Sequence, residues 1–238
     1  MDQEFKKIKG FFKSLTFDEP NHIYFVKGER IKSSVSKILK IFVGDTDFGK
    51  IAQSIDRRDN LPQGTTSTLW DLNSKISLSI GTRAHYFGEM YSFHRNLIPT
   101  SGYEEAIVKF WNDLPDHIVP AIMELQMYHK DYMFAGTGDI LLYNTKTGKY
   151  IIGDYKTNKD LFKNHKGKKM LGPFSHLLDM ALNHYQLQLS FYQILFEQVG
   201  LEVEGRKVIW VKPDGTYDMY DTEDYTKVLK EYLKNNKV

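Results

Sequence analysis

Residues 136–159, GTGDILLYNTKTGKYIIGDYKTNK, constrain the fold more than any other part of the chain. Two apolar runs, Ile140-Leu141-Leu142-Tyr143 and Lys149-Tyr150-Ile151-Ile152, flank Asn144-Thr145-Lys146-Thr147-Gly148. The middle segment is turn chemistry, with Gly148 free to take a positive φ, so the whole reads as a β-hairpin. Strands of this composition lie inside a sheet covered on both faces. Three charges stand out against that background. Asp139 opens the first strand, and Asp154 and Lys156 close the second. Residues two apart on a strand point to the same face. The start of one antiparallel strand lies beside the end of the next, so two carboxylates and an ammonium converge at one end of an apolar hairpin.

Neighbouring carboxylates repel each other, and partial burial raises the cost of charging both. A divalent cation removes that penalty, and Mg²⁺ prefers hard oxygen ligands. A lysine beside such a cluster positions or deprotonates an activated water, or offsets charge on a phosphoryl transition state. A salt bridge at a strand end is the ordinary account of Asp-x-Lys. The second aspartate and the apolar runs shift the balance toward a site.

Composition removes several alternatives. The 238 residues include no cysteine, which excludes disulfides, thiolate zinc sites, cysteine nucleophiles and iron–sulfur clusters. The formal charge is only +2, so a nucleic-acid surface must come from local clustering. No apolar run approaches the roughly 18 residues of a membrane span, and Met1 opens no signal-peptide pattern. A cytoplasmic chain without a membrane partner is expected.

Upstream, residues 3–15 predict a short helix, followed by a turn at Glu19-Pro20. His22-Ile23-Tyr24-Phe25-Val26 and Glu29-Arg30-Ile31 flank Lys27-Gly28, a hairpin signal. Ser34 or Ser36 caps a helix carrying Ile38, Leu39 and Phe42. Helices are expected over 48–60 and 65–79, with a break or kink at Ile80-Gly81-Thr82, then over 83–94 and 103–114. His85 and Glu89 share a helix face, although a lone histidine is more often a satisfied polar residue than a ligand. Residues 120–130 read as a strand with one acid, Glu124, whose face the period alone leaves open.

Beyond Lys156, residues 157–169 carry Lys159, Lys163, Lys166, Lys168 and Lys169. Such loops are usually just solvated, but this one leaves the charged end of the hairpin, where contact with a polyanion backbone makes physical sense. A long helix is predicted over 177–198. On it Gln188 and Tyr192 share a face, and an amide with a phenol suits holding a phosphate or orienting a side chain. A hairpin of 207–211 and 217–220 turns around Pro213-Asp214-Gly215, and Asp221 or Thr222 caps a final helix. No repeat or linker divides the chain. One domain over 1–238 is expected, with a hairpin and helical region to residue 115 and a core from residue 116.

Asp139 followed by Asp154-Tyr155-Lys156 after a short hairpin resembles the PD-(D/E)xK nuclease core. Gly136-Thr137-Gly138-Asp139 is similar to the G-x-x-D form of its RecB-like and phage-type exonuclease branch, which includes mitochondrial genome maintenance exonuclease-like proteins. Gly81-Thr82-Arg83-Ala84-His85-Tyr86-Phe87-Gly88-Glu89 resembles the helix motif that precedes that core, and Gln188 with Tyr192 its additional Q-x-x-x-Y motif. His22-x-Tyr24-x-Val26-x-Gly28, then Ser34-Val35-Ser36 and a helix, resembles the amino end of phage-type exonucleases. The matches are ordered and run from His22 to Tyr192.

The resemblance implies an α/β fold with a restriction-endonuclease-like core, a mixed central sheet flanked by helices and an amino-terminal helical region. It implies a metal-dependent DNA exonuclease in phage-type replication, repair or recombination, acting on DNA that is single-stranded or has a free end. Replication or recombination proteins are possible partners, and the location of a phage-encoded chain would be the host cytoplasm. Asp139 and Asp154, with the Tyr155 carbonyl, would hold Mg²⁺ or Mn²⁺, and His85 and Glu124 would serve a second ion. Lys156 would orient water, and Gln188 and Tyr192 would position the scissile strand. Ser34, Ser36 and the five loop lysines are candidate DNA contacts. A structure-selective endonuclease on the same core, or a non-catalytic nucleic-acid-binding module, are the alternatives.

Overall fold

The apolar runs of the hairpin become the middle of a six-stranded mixed sheet. The structure, a computed structural model, describes residues 2–18, 21, 23–31 and 33–236. The Glu19-Pro20 turn and His22 lie outside the described residues. The chain opens with α1 (Asp2–Phe12), then a small antiparallel sheet of β1 (Leu15–Asp18), β2 (Ile23–Val26) and β3 (Glu29–Arg30). The short β4 (Ser33–Ser34) leads into α2 (Val35–Leu39) and a 3₁₀ turn. Three helices follow, α3 (Phe48–Arg58), α4 (Thr65–Phe93) and α5 (Gly102–Asp113). Next come β5 (Ile118–Tyr128), β6 (Phe134–Asn144) and β7 (Lys149–Lys156). The chain ends with α6 (Ala181–Glu197), β8 (Val203–Val211), β9 (Tyr217–Asp221) and α7 (Thr226–Asn235).

The pairing explains where a site can form. β5 runs antiparallel along one edge of β6, from Ile118 opposite Asn144 to Tyr128 opposite Ala135. On the other edge, β7 pairs antiparallel from Asn144 opposite Lys149 to Ile140 opposite Gly153. β4 joins that same edge further back, in parallel, with Ser33 and Ser34 beside Phe134 and Ala135. Residues 136–139 therefore lie between β4 and β7, where the ladder has opened. Past Gly153, β7 leans on β8 instead, in parallel, through Lys156 opposite Trp210.

Alternation along the strands divides two apolar layers. Leu141, Tyr150 and Ile152 enter a core with Ile8, Ile38, Phe191 and Leu229, which brings α1, α2, α6 and α7 onto one face. Ile140, Leu142 and Tyr155 enter a second core with Ala84, Tyr91, Ile107 and Phe110 of α4 and α5 on the other. The fold is thus mixed α/β, with helices on both faces of a mixed sheet, as the hairpin composition required. Among the described residues no helix is long and apolar enough to cross a membrane.

Several boundaries differ from expectation. The first helix stops at Phe12, because Leu15 is buried on a strand that pairs with β2. No break occurs at Ile80-Gly81-Thr82; α4 is one helix of 29 residues. A single glycine costs only about 1 kcal/mol against alanine, too little to end a helix that is propagating and anchored at both ends. At its start, Asp56 accepts from the Gly64 and Thr66 amides, and Arg83 further along pairs with buried Glu104 on α5. Residues 68–79 of α4 are exposed throughout. Asp139 does not open its strand but sits inside β6, which begins five residues earlier. The long helix starts at Ala181, because 177–180 fold back to bond Lys168 and Met170. The last helix begins after Tyr225, where Asp224 rather than Asp221 or Thr222 accepts the Thr226 amide.

Candidate metal and nucleic-acid site

The opened ladder gathers the predicted residues. With β7 parting from β6 after Gly153, the Tyr155 amide donates to Asp139 Oδ2 at 3.3 Å instead of to a strand carbonyl. From α4, His85 reaches the same place. Its Nδ1 lies 3.1 Å from Asp139 Oδ2 and 3.8 Å from Glu124 Oε1, and its Nε2 lies 3.0 Å from the Tyr155 carbonyl. One donor atom from each of His85, Glu124 and Asp139 lies within 4.8 Å of the others. Two oxygen donors and an imidazole at that spacing form a group that could hold a metal ion.

Glu124 arrives there by a local departure from strand geometry. Its φ is +48°, the left-handed region, where a non-glycine residue is strained. The consequence is visible on either side of it. Met123 faces the second core, whereas Ile122, Leu125 and Met127 face the first, so alternation breaks at Glu124. Strain of this kind persists only where surrounding structure holds it, and it concentrates at functional sites.

Asp154 is 1% exposed, and neither of its oxygens accepts a hydrogen bond of normal geometry among the described residues. Lys156 forms an ion pair with it, and the Lys156 ammonium also sits 4.3 Å from the centre of the Tyr185 ring. Tyr185 is held by donating to Asn158 at 2.7 Å. On α6, Gln188 donates to the Tyr192 hydroxyl at 2.6 Å. The Tyr192 ring packs closely against β6: a β-carbon built on Gly136 would meet its Cε1 at 2.9 Å. Gly136 thus serves the approach of the Tyr192 ring and Val35, and Gly138 that of Met127, whose Cε would stand 3.1 Å from a β-carbon there.

The charges are strongly coupled. Burial, then the Asp154 charge, push the Asp139 carboxyl well above the usual carboxylate range, against the pull of His85 and Lys156. Burial disfavours the imidazolium of His85, but Asp139, Glu124 and Asp154 outweigh it and raise the group from 6.5 to about 9. Burial likewise opposes the Lys156 charge, yet Asp154 and Asp139 raise its pKa above the ordinary lysine value. In this arrangement Lys156 is a cation at neutral pH, suited to offset negative charge and not to take up a proton. Burial, with Asp154 and Asp139 beside it, holds the Tyr192 phenol protonated.

The remaining predicted residues are dispersed. Ser34 caps α2, accepting from the Lys37 amide at 3.3 Å, and meets Ser36 Oγ at 3.1 Å. Ser34 lines a recess of about 280 Å³ with Arg30 and Lys37, apart from the His85 cluster. Lys159, Lys163, Lys166 and Lys169 are exposed. Lys168 is not free: its ammonium binds the Gly44 carbonyl at 2.7 Å, Thr46 at 3.0 Å and Asp179 at 3.0 Å, tying the loop down. Tyr185 is the residue that sequence reasoning left unassigned at the site. Its spacing of three before Gln188 and seven before Tyr192 on one helix face was the available signal.

Beside the cluster runs a groove of about 610 Å³, lined by His85 and Glu124 of the cluster and by Phe17, Leu78, Tyr86 and Glu89 among others. No protein-family model matches the chain, and no curated protein matches it.

Proposed function

We propose that this chain is a divalent-metal-dependent DNA nuclease, an exonuclease on DNA with a free end, built on a restriction-endonuclease-like core. One observation carries the reading: His85, Glu124 and Asp139 converge with a buried Asp154–Lys156 pair where β7 separates from β6. The donor set fits Mg²⁺ or Mn²⁺. Carboxylate oxygens are the ligands such ions take, and the buried Asp154 Oδ1, which has no partner among the described residues while Oδ2 meets Lys156, is what an ion would satisfy. Asp139 and Asp154 would hold one ion, with Glu124 and His85 serving a second. A bound ion supplies Lewis acidity to water and to phosphoryl oxygens.

The protein's own groups do the rest. Lys156 keeps a positive charge beside Asp154, where the phosphate of a substrate would gather negative charge. Gln188 donates to the Tyr192 oxygen, which leaves the phenol hydrogen free to meet an acceptor on the strand. Tyr185 restrains the Lys156 ammonium from the other side. The exposed Lys159 and Lys163 continue a cationic path from the end of β7 for the sugar–phosphate backbone.

The test is cleavage of end-labelled linear single- and double-stranded DNA, beside circular forms, with Mg²⁺, Mn²⁺ or EDTA. Metal-dependent loss of linear forms alone is expected, and its absence from the Asp154→Asn variant. Cutting of circles would replace the exonuclease reading with an endonuclease. Undiminished cleavage by Asp154→Asn would remove the site assignment.

A further inference from the structure

We propose that the groove between α4 and the small amino-terminal sheet is a slot for unpaired nucleobases, placed so that bases next to the scissile phosphate leave the stack and enter it. The inference rests on the nuclease reading, because it names how that site takes its substrate. Three observations carry it.

The first is continuity. His85 and Glu124 belong both to the donor cluster and to the groove lining, so whatever fills the groove abuts the reacting phosphate. The second is charge. Among the described residues the groove lining includes Glu89, Glu124 and His85 but no lysine or arginine. Away from the ion site at His85 and Glu124, a phosphate backbone laid there would face Glu89 with no lysine or arginine beside it to offset the charge. Lys156 at the end of β7 and Lys159 and Lys163 beyond it do not line the groove. Backbone and bases are thereby directed apart, phosphates toward the lysines and bases toward the groove. The third is surface chemistry. Phe17, Leu78 and Tyr86 give the walls flat and apolar area, while Thr82, Gln126 and Thr137 bring hydroxyls and an amide suited to base edges. Phe17 is itself stacked on Tyr24, with ring centres 4.5 Å apart, so that wall is rigid. At about 610 Å³ the space falls inside the range of about 300–1,000 Å³ typical of pockets for small organic groups.

A base within a duplex is stacked on both faces and paired along one edge, so it cannot enter such a slot without being extruded. The slot therefore favours single strands, or duplex ends that have frayed. It is tolerant of sequence, because every base offers a π-face.

The experiment places a single abasic nucleotide at each position near the end of a single-stranded oligonucleotide and measures kcat/KM with Mg²⁺ or Mn²⁺. An abasic nucleotide beside the scissile phosphate is expected to lower kcat/KM by ~10-fold or more, the scale of losing one base–aromatic stack. Tyr86 is 65% exposed, so Tyr86→Ala leaves the core intact. This variant should lose a similar factor on base-bearing DNA and show no further loss on the abasic strand, while Tyr86→Phe keeps the wild-type pattern. Equal kcat/KM for abasic and base-bearing strands at every position would overturn the slot and leave the nuclease standing. If neither ion supports cleavage, the nuclease reading fails separately. Binding of the same oligonucleotides in Ca²⁺ then decides the slot: a preference for bases that Tyr86→Ala abolishes retains it, and equal affinity removes it.

Discussion

Gly88→Ala is the substitution that probes most directly how the fold holds the site. Gly88 lies on α4, one turn beyond His85, with the Tyr155 ring against it. A β-carbon there would stand 2.5 Å from Tyr155 Cε2, 2.9 Å from Cζ and 3.1 Å from the hydroxyl. Carbon atoms in contact prefer about 3.5–4.0 Å, so the shortfall is about 1 Å. The ring is 1% exposed and edge-on to Phe110, with nowhere to swing. Overpacking of a close-packed core costs about 1–3 kcal/mol, and a shortfall of this size belongs in the upper part of that range. Helix propensity returns about 1 kcal/mol, so the net loss is about 1–2 kcal/mol. Gly81→Ala on the same helix is the control. Its β-carbon meets only Thr157 Oγ1, at 3.5 Å, an ordinary contact, so it should gain about 1 kcal/mol from propensity alone. Urea unfolding with unchanged m-values reads both.

Activity should follow for a stated reason. The Tyr155 amide holds Asp139 and its carbonyl meets His85, so relief of the clash must move either Tyr155 or α4, and each carries a ligand. Misplacement by about 1 Å costs on the order of 10²-fold in rate, and kcat should fall by about that much. If Gly88→Ala is as stable as Gly81→Ala, the packing argument is refuted. If it is destabilised but fully active, the link from Tyr155 to the site is refuted.

Two further outcomes follow from the charges. In EDTA, His85 goes from 6.5 unfolded to about 9 folded, so its imidazolium stabilises fully below pH 6.5 and that stabilisation is lost as pH rises through about 9. The stability advantage of wild type over His85→Gln should shrink between about pH 6 and about pH 10; a constant advantage would show that the carboxylates do not act on His85. Second, Mg²⁺ or Mn²⁺ at a hundred times its Kd should add about 2.7 kcal/mol, or about 5–10 °C in Tm, and Asp139→Asn should lack the increment. No rise in wild type with either ion would remove the metal from the site.

The central hairpin was legible because both of its signals are local. Turn residues and uninterrupted apolar runs act over neighbouring positions, and they led correctly to a sheet covered on both faces. Asp154 and Lys156 closing β7, the Ser34 cap, and the shared face of Gln188 and Tyr192 were legible for the same reason, since strand and helix periods place side chains without reference to the rest of the chain. Boundaries set by distant partners were not. Leu15 became a strand because β2 lies beside it, and α4 ran through Gly81 because contacts at Asp56 and Glu104 hold it.

Of the site, sequence determined which chemical groups were available and roughly in what order. Tertiary structure alone decided how they meet. The opening between β6 and β7, the positive φ that turns Glu124, the reach of His85 from α4 and the tethering of Lys168 to Gly44 all depend on residues far apart in the chain. Local propensity carries no information about such contacts, because their energies exist only once separate elements have packed against one another.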